Sequence, residues 1–86
     1  MTVYLVDEPF LEVAMAYARM DKDAHVVLLQ DAVYAGLTGR VQGEVYAIEG
    51  DVSRRGLGTR MPRSVRVIGY PDLVQMMERE RVVNFL

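Results

Sequence analysis

The chain has 86 residues, 51% of them hydrophobic and 26% charged, with a net charge of −2 and no cysteine. This composition is ordinary for a compact globular protein, and it excludes disulfides, thiolate metal sites and a cysteine nucleophile within the chain. No apolar run approaches the roughly 20 residues of a membrane helix, and no basic signal-peptide region precedes the first strand, so we expect a single cytoplasmic domain over residues 1–86 with no membrane attachment.

The first third of the chain alternates between strand and helix patterns. Thr2–Val6 predicts a strand, and Asp7-Glu8-Pro9 predicts a helix start because an acid can cap free amides and proline is tolerated in a first turn. The helix is expected to reach about Met20, and a nearly continuous apolar stretch, His25–Gln30, then predicts a strand that is covered on both faces. Two apolar lines of the helix are expected to face the core: Phe10, Ala14 and Tyr17, and beside them Leu11, Met15 and Ala18.

The middle of the chain repeats this alternation with shorter elements. Asp31 can cap a short helix that ends within residues 36–39, where two glycines occur. Glu44–Ile48 then predicts a third strand. Gly50-Asp51 is expected to open another short helix, Val52–Leu57.

The last third of the chain contains an arginine-bearing loop followed by a strand, a helix and an apolar end. Val65–Tyr70 predicts a fourth strand, Pro71-Asp72 begins the final helix, and Val82–Phe85 predicts a fifth strand or a tail that lies across a neighbour. The final helix is expected to bury Leu73, Val74 and Met77. The order β-α-β-α-β-α-β-α-β predicts an α/β fold, a small three-layer α/β/α sandwich with a mostly parallel sheet of four or five strands.

The charges are unevenly distributed along the chain. Residues 52–71 contain five arginines and no acid, a local charge of +5, so the remainder carries −7. Such a segment can bind an anionic partner, or it can be a solvated loop. Guanidinium groups suit phosphate oxygens, which makes Arg54, Arg55 and Arg60 candidates for anion binding. The alternative function is therefore a stand-alone RNA- or phosphate-binding module that uses the Arg54–Arg66 segment.

The residues with catalytic or metal-binding chemistry are scattered. His25 is the only histidine and has no second ligand at metal spacing, and neither serine lies in a nucleophile-elbow setting. The segment from Gly56 to Arg60 lacks the third glycine of a dinucleotide fingerprint. We therefore expect no cofactor and no metal, and enzymatic activity is not indicated.

Several short motifs occur in the order that one known family uses. The motifs are Pro9-Phe10, Gln30–Ala35, Tyr46–Gly56, Tyr70 with Leu73-Val74, and Phe85. Within the longest of them, the likeness is best at Tyr46, Asp51, Arg55 and Gly56. Together the motifs resemble the DsrH/TusB branch of the DsrE-like proteins over nearly the whole chain, which implies a DsrE-like sheet.

The resemblance implies a subunit of a DsrEFH- or TusBCD-like complex. Such complexes pass persulfide sulfur between proteins, either toward 2-thiolation of the wobble uridine in tRNA or within dissimilatory sulfur metabolism. The expected partners are DsrE- and DsrF-like chains (TusD- and TusC-like) or a second copy, with tRNA involved at most indirectly. We expect a homo- or hetero-oligomer, since so small a domain leaves apolar surface exposed.

The lack of cysteine limits the role that the resemblance allows. Members of this branch with a relay cysteine carry it in the first helix, and a gapless match from the Asp31 motif places that position at or near Ala16. Alanine cannot form a persulfide, because only a thiolate sulfur attacks or accepts one. The chain is therefore expected to be a scaffold, docking surface or regulator, and not the sulfur carrier.

Five side chains are candidates for the docking surface: Asp31, Tyr34, Tyr46, Asp51 and Arg55. Asp31 and Tyr34 lie one helical turn apart and share a face, next to the carboxyl end of a strand, where α/β proteins meet ligands and partners. Asp51 and Arg55 stand at i, i+4 and can pair along a second edge of this surface. A purely structural interpretation stays open, in which both acids are helix caps and Tyr34 packs beneath Asp31.

Overall fold

Five parallel strands form the sheet in a computed structural model that describes residues 1–41 and 43–86. The strands are β1 (Thr2–Val6), β2 (Ala24–Leu28), β3 (Glu44–Ile48), β4 (Val65–Ile68) and β5 (Arg81–Phe85). Their order is β4-β3-β2-β1-β5, and every neighbouring pair is parallel. β1 therefore has two neighbours, with Thr2 opposite Ala24 of β2 and Arg81 of β5, and all five of its residues are buried.

Helical segments join each strand to the next. They are a 3-10 turn (Glu8–Phe10) followed by α1 (Leu11–Ala18), a second 3-10 helix (Gln30–Tyr34) followed by α2 (Ala35–Thr38), α3 (Glu49–Arg54) and α4 (Tyr70–Arg79). The 3-10 turn Glu8–Phe10 starts where the sequence predicts a helix start, because the Asp7 carboxylate accepts the Glu8 N–H at 2.6 Å. Within the described part of the chain, no helix combines the length and apolar character needed to cross a membrane.

The two faces of the sheet are covered unequally. One face packs against α1, α2 and α3 through a large apolar cluster that includes Leu11, Ala35 and Val52. The other face packs against α4 through Leu73, which meets β1, β2 and β3 side chains. Helices thus lie on both sides of a parallel sheet, and the predicted three-layer α/β/α fold is confirmed.

Several element boundaries differ from the sequence prediction. The fourth strand ends at Ile68, because Gly69 is the N-cap of α4 and Tyr70 already lies in that helix. The helix predicted at Val52–Leu57 begins three residues earlier and ends at Arg54, after which Gly56 adopts a left-handed φ of 65°. The last segment is a strand parallel to β1, and not a tail.

Two helices bury a different set of side chains from the predicted one. α1 buries Leu11, Ala14 and Met15, so that Phe10 and Tyr17 of the predicted inner line are 42% and 58% exposed. α4 buries only Leu73 of its three predicted core residues, while Val74 and Met77 are 48% and 39% exposed. A helix that packs on one sheet buries a single stripe, and its remaining apolar side chains stay at the surface.

Candidate docking site

The candidate site lies at the carboxyl edge of the sheet, where two neighbouring strands end. β2 ends at Leu28, and the chain turns through Gln30 and Asp31 into the second 3-10 helix. β3 ends at Ile48 and continues directly into α3. Because β2 and β3 are parallel neighbours, the two turns lie side by side.

Asp51, in α3, is the buried centre of this site. Its side chain is 1% exposed, and its Oδ2 accepts the Gln30 N–H at 2.8 Å. Its Oδ1 accepts a hydrogen bond from Nη2 of Arg54 and lies 3.6 Å from Nη1 of Arg55. Both carboxylate oxygens have partners, which is the condition under which a charge can be buried. We call Gln30, Asp31, Asp51, Arg54 and Arg55 the Asp51 cluster.

Arg55 connects the buried acid to an exposed one. Its Nη2 and Nε donate to Oδ1 of Asp31 at 2.9 and 3.1 Å, and its Nη1 donates to the Asp51 carbonyl at 3.1 Å. The Arg55 side chain is 20% exposed, against 69% for Asp31. The predicted pairing of Asp51 with Arg55 is confirmed. Arg55 in turn holds the exposed Asp31 carboxylate in a fixed position.

The backbone at Gln30 is strained for its residue type. Its φ is 51°, and it is the only non-glycine residue with a positive φ in the part of the chain that the structure describes. A left-handed conformation costs a residue with a Cβ atom about 1–2 kcal/mol. The hydrogen bond from Gln30 to the buried Asp51 stabilises this turn. Sequence reasoning missed Gln30, because a glutamine side chain gives no signal of a left-handed backbone.

Neither acid caps its own helix, so the predicted capping roles are wrong. The second 3-10 helix follows Leu29 without a side-chain cap, and Asp31 binds Arg55 instead. α3 follows Ile48, also without a side-chain cap, and Asp51 lies within its first turn. The Asp51 carboxylate accepts the first N–H of the neighbouring 3-10 helix, so it ties two elements together instead of starting one.

The surroundings of Asp51 favour its charged form. Burial by itself would raise the pKa of this carboxyl. The Gln30 N–H and the guanidinium groups of Arg54 and Arg55 outweigh burial and hold the Asp51 pKa below its ordinary value. Asp51 is therefore a carboxylate at neutral pH, and its ion pairs are present.

We expect acid to destabilise the fold partly through Asp51. Its folded-state pKa lies below the unfolded value of about 3.9, so its stabilisation is complete above that pH and is lost as pH falls through the folded pKa. Urea denaturation from neutral pH down to about pH 3 should show this loss, and Asp51→Asn should reduce it. Glu78→Gln is the control, because it removes one carboxylate from the exposed side of α4, away from the Asp51 cluster. The same pH dependence in wild type and Asp51→Asn would contradict the prediction.

Asp31 and Tyr34 form the exposed part of the site. Tyr34 is 46% exposed, so it does not pack beneath Asp31. The two side chains line a cleft of about 330 Å³ that also includes Glu8, Thr38 and Arg40. The site therefore offers a carboxylate and an aromatic ring to another molecule, at the edge of the sheet where α/β proteins bind partners.

Two of the predicted residues lie away from this cluster. Tyr46 is 8% exposed and packs on the α4 face of the sheet, with its ring centroid 5.9 Å from that of His25. A side chain this buried offers a partner little surface, so the structure does not bring Tyr46 into the site. Ala16 is exposed on the outer side of α1.

The predicted anion-binding arginines are mostly engaged by acids. Arg54 binds Asp51 and Arg55 binds Asp31, whereas Arg60 is exposed and forms no ion pair within residues 1–41 and 43–86. An arginine that already neutralises a carboxylate has less charge to offer a phosphate. Over the same residues, no three His, Asp or Glu side chains are grouped closely enough to hold a metal ion.

Known proteins resemble this chain in sequence and in fold. A family model described as "DsrH like protein" matches residues 9–83. The chain belongs to the DsrH family. Protein TusB of Serratia proteamaculans (strain 568) is 36% identical over 64 residues, which cover 65% of this DsrH-family chain and 67% of that protein. Protein TusB of Sodalis glossinidius (strain morsitans) is 32% identical over 63 residues, covering 64% and 66%.

A solved structure extends the likeness of the DsrH-family chain to its whole length. The crystal structure of the ychN protein from E. coli superposes with a TM-score of 0.74 at 20% identity, covering 98% of this chain and 97% of that one. At this identity the likeness shows the fold alone. The family inferred from the motifs and the predicted α/β architecture are both confirmed.

Proposed function

We propose that this DsrH-family chain is a non-carrier subunit of a sulfur-relay complex. The chain has no cysteine, so it cannot itself hold persulfide sulfur. Its role is to dock and orient the subunits that do, which are DsrE- and DsrF-like chains. The complex serves either 2-thiolation of the tRNA wobble uridine or dissimilatory sulfur metabolism, and this chain contacts tRNA at most indirectly.

The observation that carries the proposal is the exposed Asp31 carboxylate, which Arg55 holds in place, together with the exposed Tyr34 ring that lines the same cleft. Arg55 fixes the Asp31 carboxylate, and the buried Asp51 fixes both Arg55 and the turn at Gln30. Side chains that are already ordered lose little conformational entropy when a partner binds. Tyrosine is also among the residue types that contribute most to interfaces. This geometry supports a docking surface made of Asp31, Tyr34 and Arg55.

The chemistry of this surface specifies what the partner presents. An exposed carboxylate with one oxygen engaged by Arg55 accepts further hydrogen bonds from a lysine, an arginine or a backbone N–H. The exposed ring of Tyr34 requires an apolar pocket on the partner. A DsrE- or DsrF-like chain that binds here is therefore expected to place a cationic or N–H donor beside an apolar depression.

The test is the mass of the purified chain measured by light scattering, alone and mixed with the DsrE- and DsrF-like proteins of its source organism. We expect a mixed complex that Tyr34→Ala weakens. Tyr70→Ala is the matched control, because Tyr70 is 54% exposed but lies on α4. Failure to form a mixed complex, or equal effects of the two tyrosine variants, would refute the proposal.

The alternative function, an RNA- or phosphate-binding module, predicts a different result from the same protein. The isolated chain would bind tRNA with an affinity that falls steeply with salt, and Arg60→Ala would weaken that binding. Such binding, together with no association with the relay proteins, would favour the alternative. The ion pairs of Arg54 and Arg55 argue against it.

A further inference from the structure

The cleft of about 330 Å³ at the docking surface is one end of a longer groove along α1. A second hollow, of about 500 Å³, shares Leu11 and Arg40 with this cleft. A third hollow, of about 440 Å³, shares Met15, Arg19 and Arg40 with the second. The three hollows therefore form one continuous groove between α1 and the connection from α2 to β3, and we call it the α1 groove.

The α1 groove crosses the sheet from its carboxyl edge to its amino edge. The third hollow is lined by Ala24 and Glu44, which are the first residues of β2 and β3. From Glu8 to Lys22, a helical chain that rises about 1.5 Å per residue spans roughly 20 Å, which equals about six residues of extended chain at about 3.3 Å each. Compact ligands bind in single pockets that enclose them, whereas a groove of this length suits a segment of polypeptide.

The floor of the groove is apolar, and a weak ion pair lies at the middle of its rim. Leu11, Met15 and Val26 line the floor and are buried. At the rim, Nη2 of Arg40 lies 3.9 Å from Oε1 of Glu12, and the two side chains are 52% and 92% exposed. A pair this long and exposed contributes little to stability, so Arg40 is available to donate hydrogen bonds to the carbonyl groups of a bound segment.

The charges that line the groove differ between its two ends. The hollow at the carboxyl edge contains Glu8 and Asp31, against Arg40 as the one cation among the described residues that line it. The hollow at the amino edge contains Arg19 and Lys22. Within residues 1–41 and 43–86, neither of these two cations forms an ion pair. One end of the groove therefore attracts a cation, and the other end attracts an anion.

Two acids also line the amino-edge hollow, but they do not cancel its positive charge. The Asp21 carboxylate already accepts two hydrogen bonds, from the Tyr4 O–H and the Asp23 N–H. Glu44 is the second acid of this hollow. With Arg40, the hollow has three cations against these two acids.

We propose that the α1 groove binds an extended segment of about six residues of the DsrE- or DsrF-like partner, with a lysine or arginine at Asp31 and an aspartate or glutamate at Arg19 and Lys22. An apolar side chain in the middle of the segment packs over Met15. A segment with the opposite order of charges meets like charges at both ends, so the groove selects one order. The inference rests on the proposed docking function, and it extends the Asp31 end of the docking surface along α1.

Titration calorimetry of the full chain with its partner tests the far end of the groove. Arg19→Glu combined with Lys22→Glu should weaken binding at least about tenfold, because the acidic end of the segment then meets two carboxylates. Both side chains are exposed, so the fold should persist, and urea denaturation checks this. Arg63→Glu combined with Arg66→Glu is the matched control, since it makes the same change of charge on exposed arginines away from the groove. We expect the control to change affinity by less than about twofold.

NMR of the methionine methyl groups tests whether the segment enters the groove. On complex formation the Met15 methyl signal should shift, whereas that of Met77, on α4, should not. An unchanged Met15 signal, or equal losses for the two double variants, would overturn the groove proposal, while a complex that Tyr34→Ala weakens would leave the docking function standing.

Two further outcomes of these measurements would also overturn the groove proposal. If no mixed complex forms, the docking function and the groove proposal both fail. If the chain alone forms a dimer that Arg19→Glu combined with Lys22→Glu dissociates, a second copy occupies the groove, and the partner segment does not.

Discussion

Replacing Asp51 with alanine should lower the free energy of unfolding by about 2–4 kcal/mol. The side chain is 1% exposed, and its loss removes the acceptor of the Gln30 N–H and the counter-charge of two arginines. Arg54 stays hydrated and Arg55 keeps Asp31, which holds the effect below that of a fully buried pair. Small domains have a total stability of about 5–15 kcal/mol, so the loss is large. Urea denaturation at neutral pH measures it.

Two further variants separate the possible causes of this loss. Asp31→Ala removes only the exposed partner of Arg55, and we expect a loss of less than about 1 kcal/mol. Gln30→Gly relieves the left-handed strain and should stabilise the fold by about 1 kcal/mol. If Asp51 acts through this turn, Asp51→Ala should cost less in the Gln30→Gly background. A loss for Asp51→Ala no greater than that for Asp31→Ala would show that Asp51 is not the centre of the cluster.

Reversing the charge of Asp31 should weaken binding of the proposed DsrE- or DsrF-like partner by about 30-fold or more, equivalent to roughly 2 kcal/mol. Asp31→Arg removes the exposed acceptor and places a second guanidinium beside Arg55, so a donor on the partner meets repulsion. The fold should be little affected, because the Asp31 side chain is 69% exposed. Titration calorimetry of the complex measures the change in affinity.

The matched control for this prediction is Asp72→Arg. Asp72 is exposed in the first turn of α4, and the change in net charge is the same. We expect the effect of Asp72→Arg on affinity to stay within about twofold, since an exposed charge away from the interface acts mainly on the association rate. Equal losses for the two variants would mean that the partner responds to overall charge, and that Asp31 is not part of the interface.

The strands were the most predictable part of this fold. β1 is buried along its whole length, and a parallel strand that is covered on both faces appears in sequence as an unbroken apolar run. Helix boundaries were less predictable. α3 begins at Glu49 and not at Val52, because its first turn follows directly from β3 and the Asp51 contacts stabilise it. Such contacts depend on the sheet, and helix-capping patterns do not contain them.

The site was only partly predictable for a similar reason. The spacing of Asp51 and Arg55 predicted their pairing, but the burial of Asp51 and its bond to Gln30 depend on β2 and β3 being neighbours. Tyr46 shows the reverse case. Its neighbours Val45 and Ala47 are also apolar, so the sequence does not indicate which face of the sheet the tyrosine ring occupies. Residue type and motif position alone placed it in the docking surface, and the fold places it in the core.

The pairing of β1 with β5 determines the order in which this sheet can be completed during synthesis. Thr2 lies beside Arg81, although nearly the whole chain separates them. On the ribosome, β1 is made before β5, and once β2 has paired with it, β1 keeps one bare edge until β5 emerges. A nascent chain that is interrupted before Arg81 exposes the backbone of a strand that is otherwise buried, and such edges promote aggregation. Chains that end before β5 are therefore expected to be lost to aggregation or degradation, so that only chains that contain β5 persist.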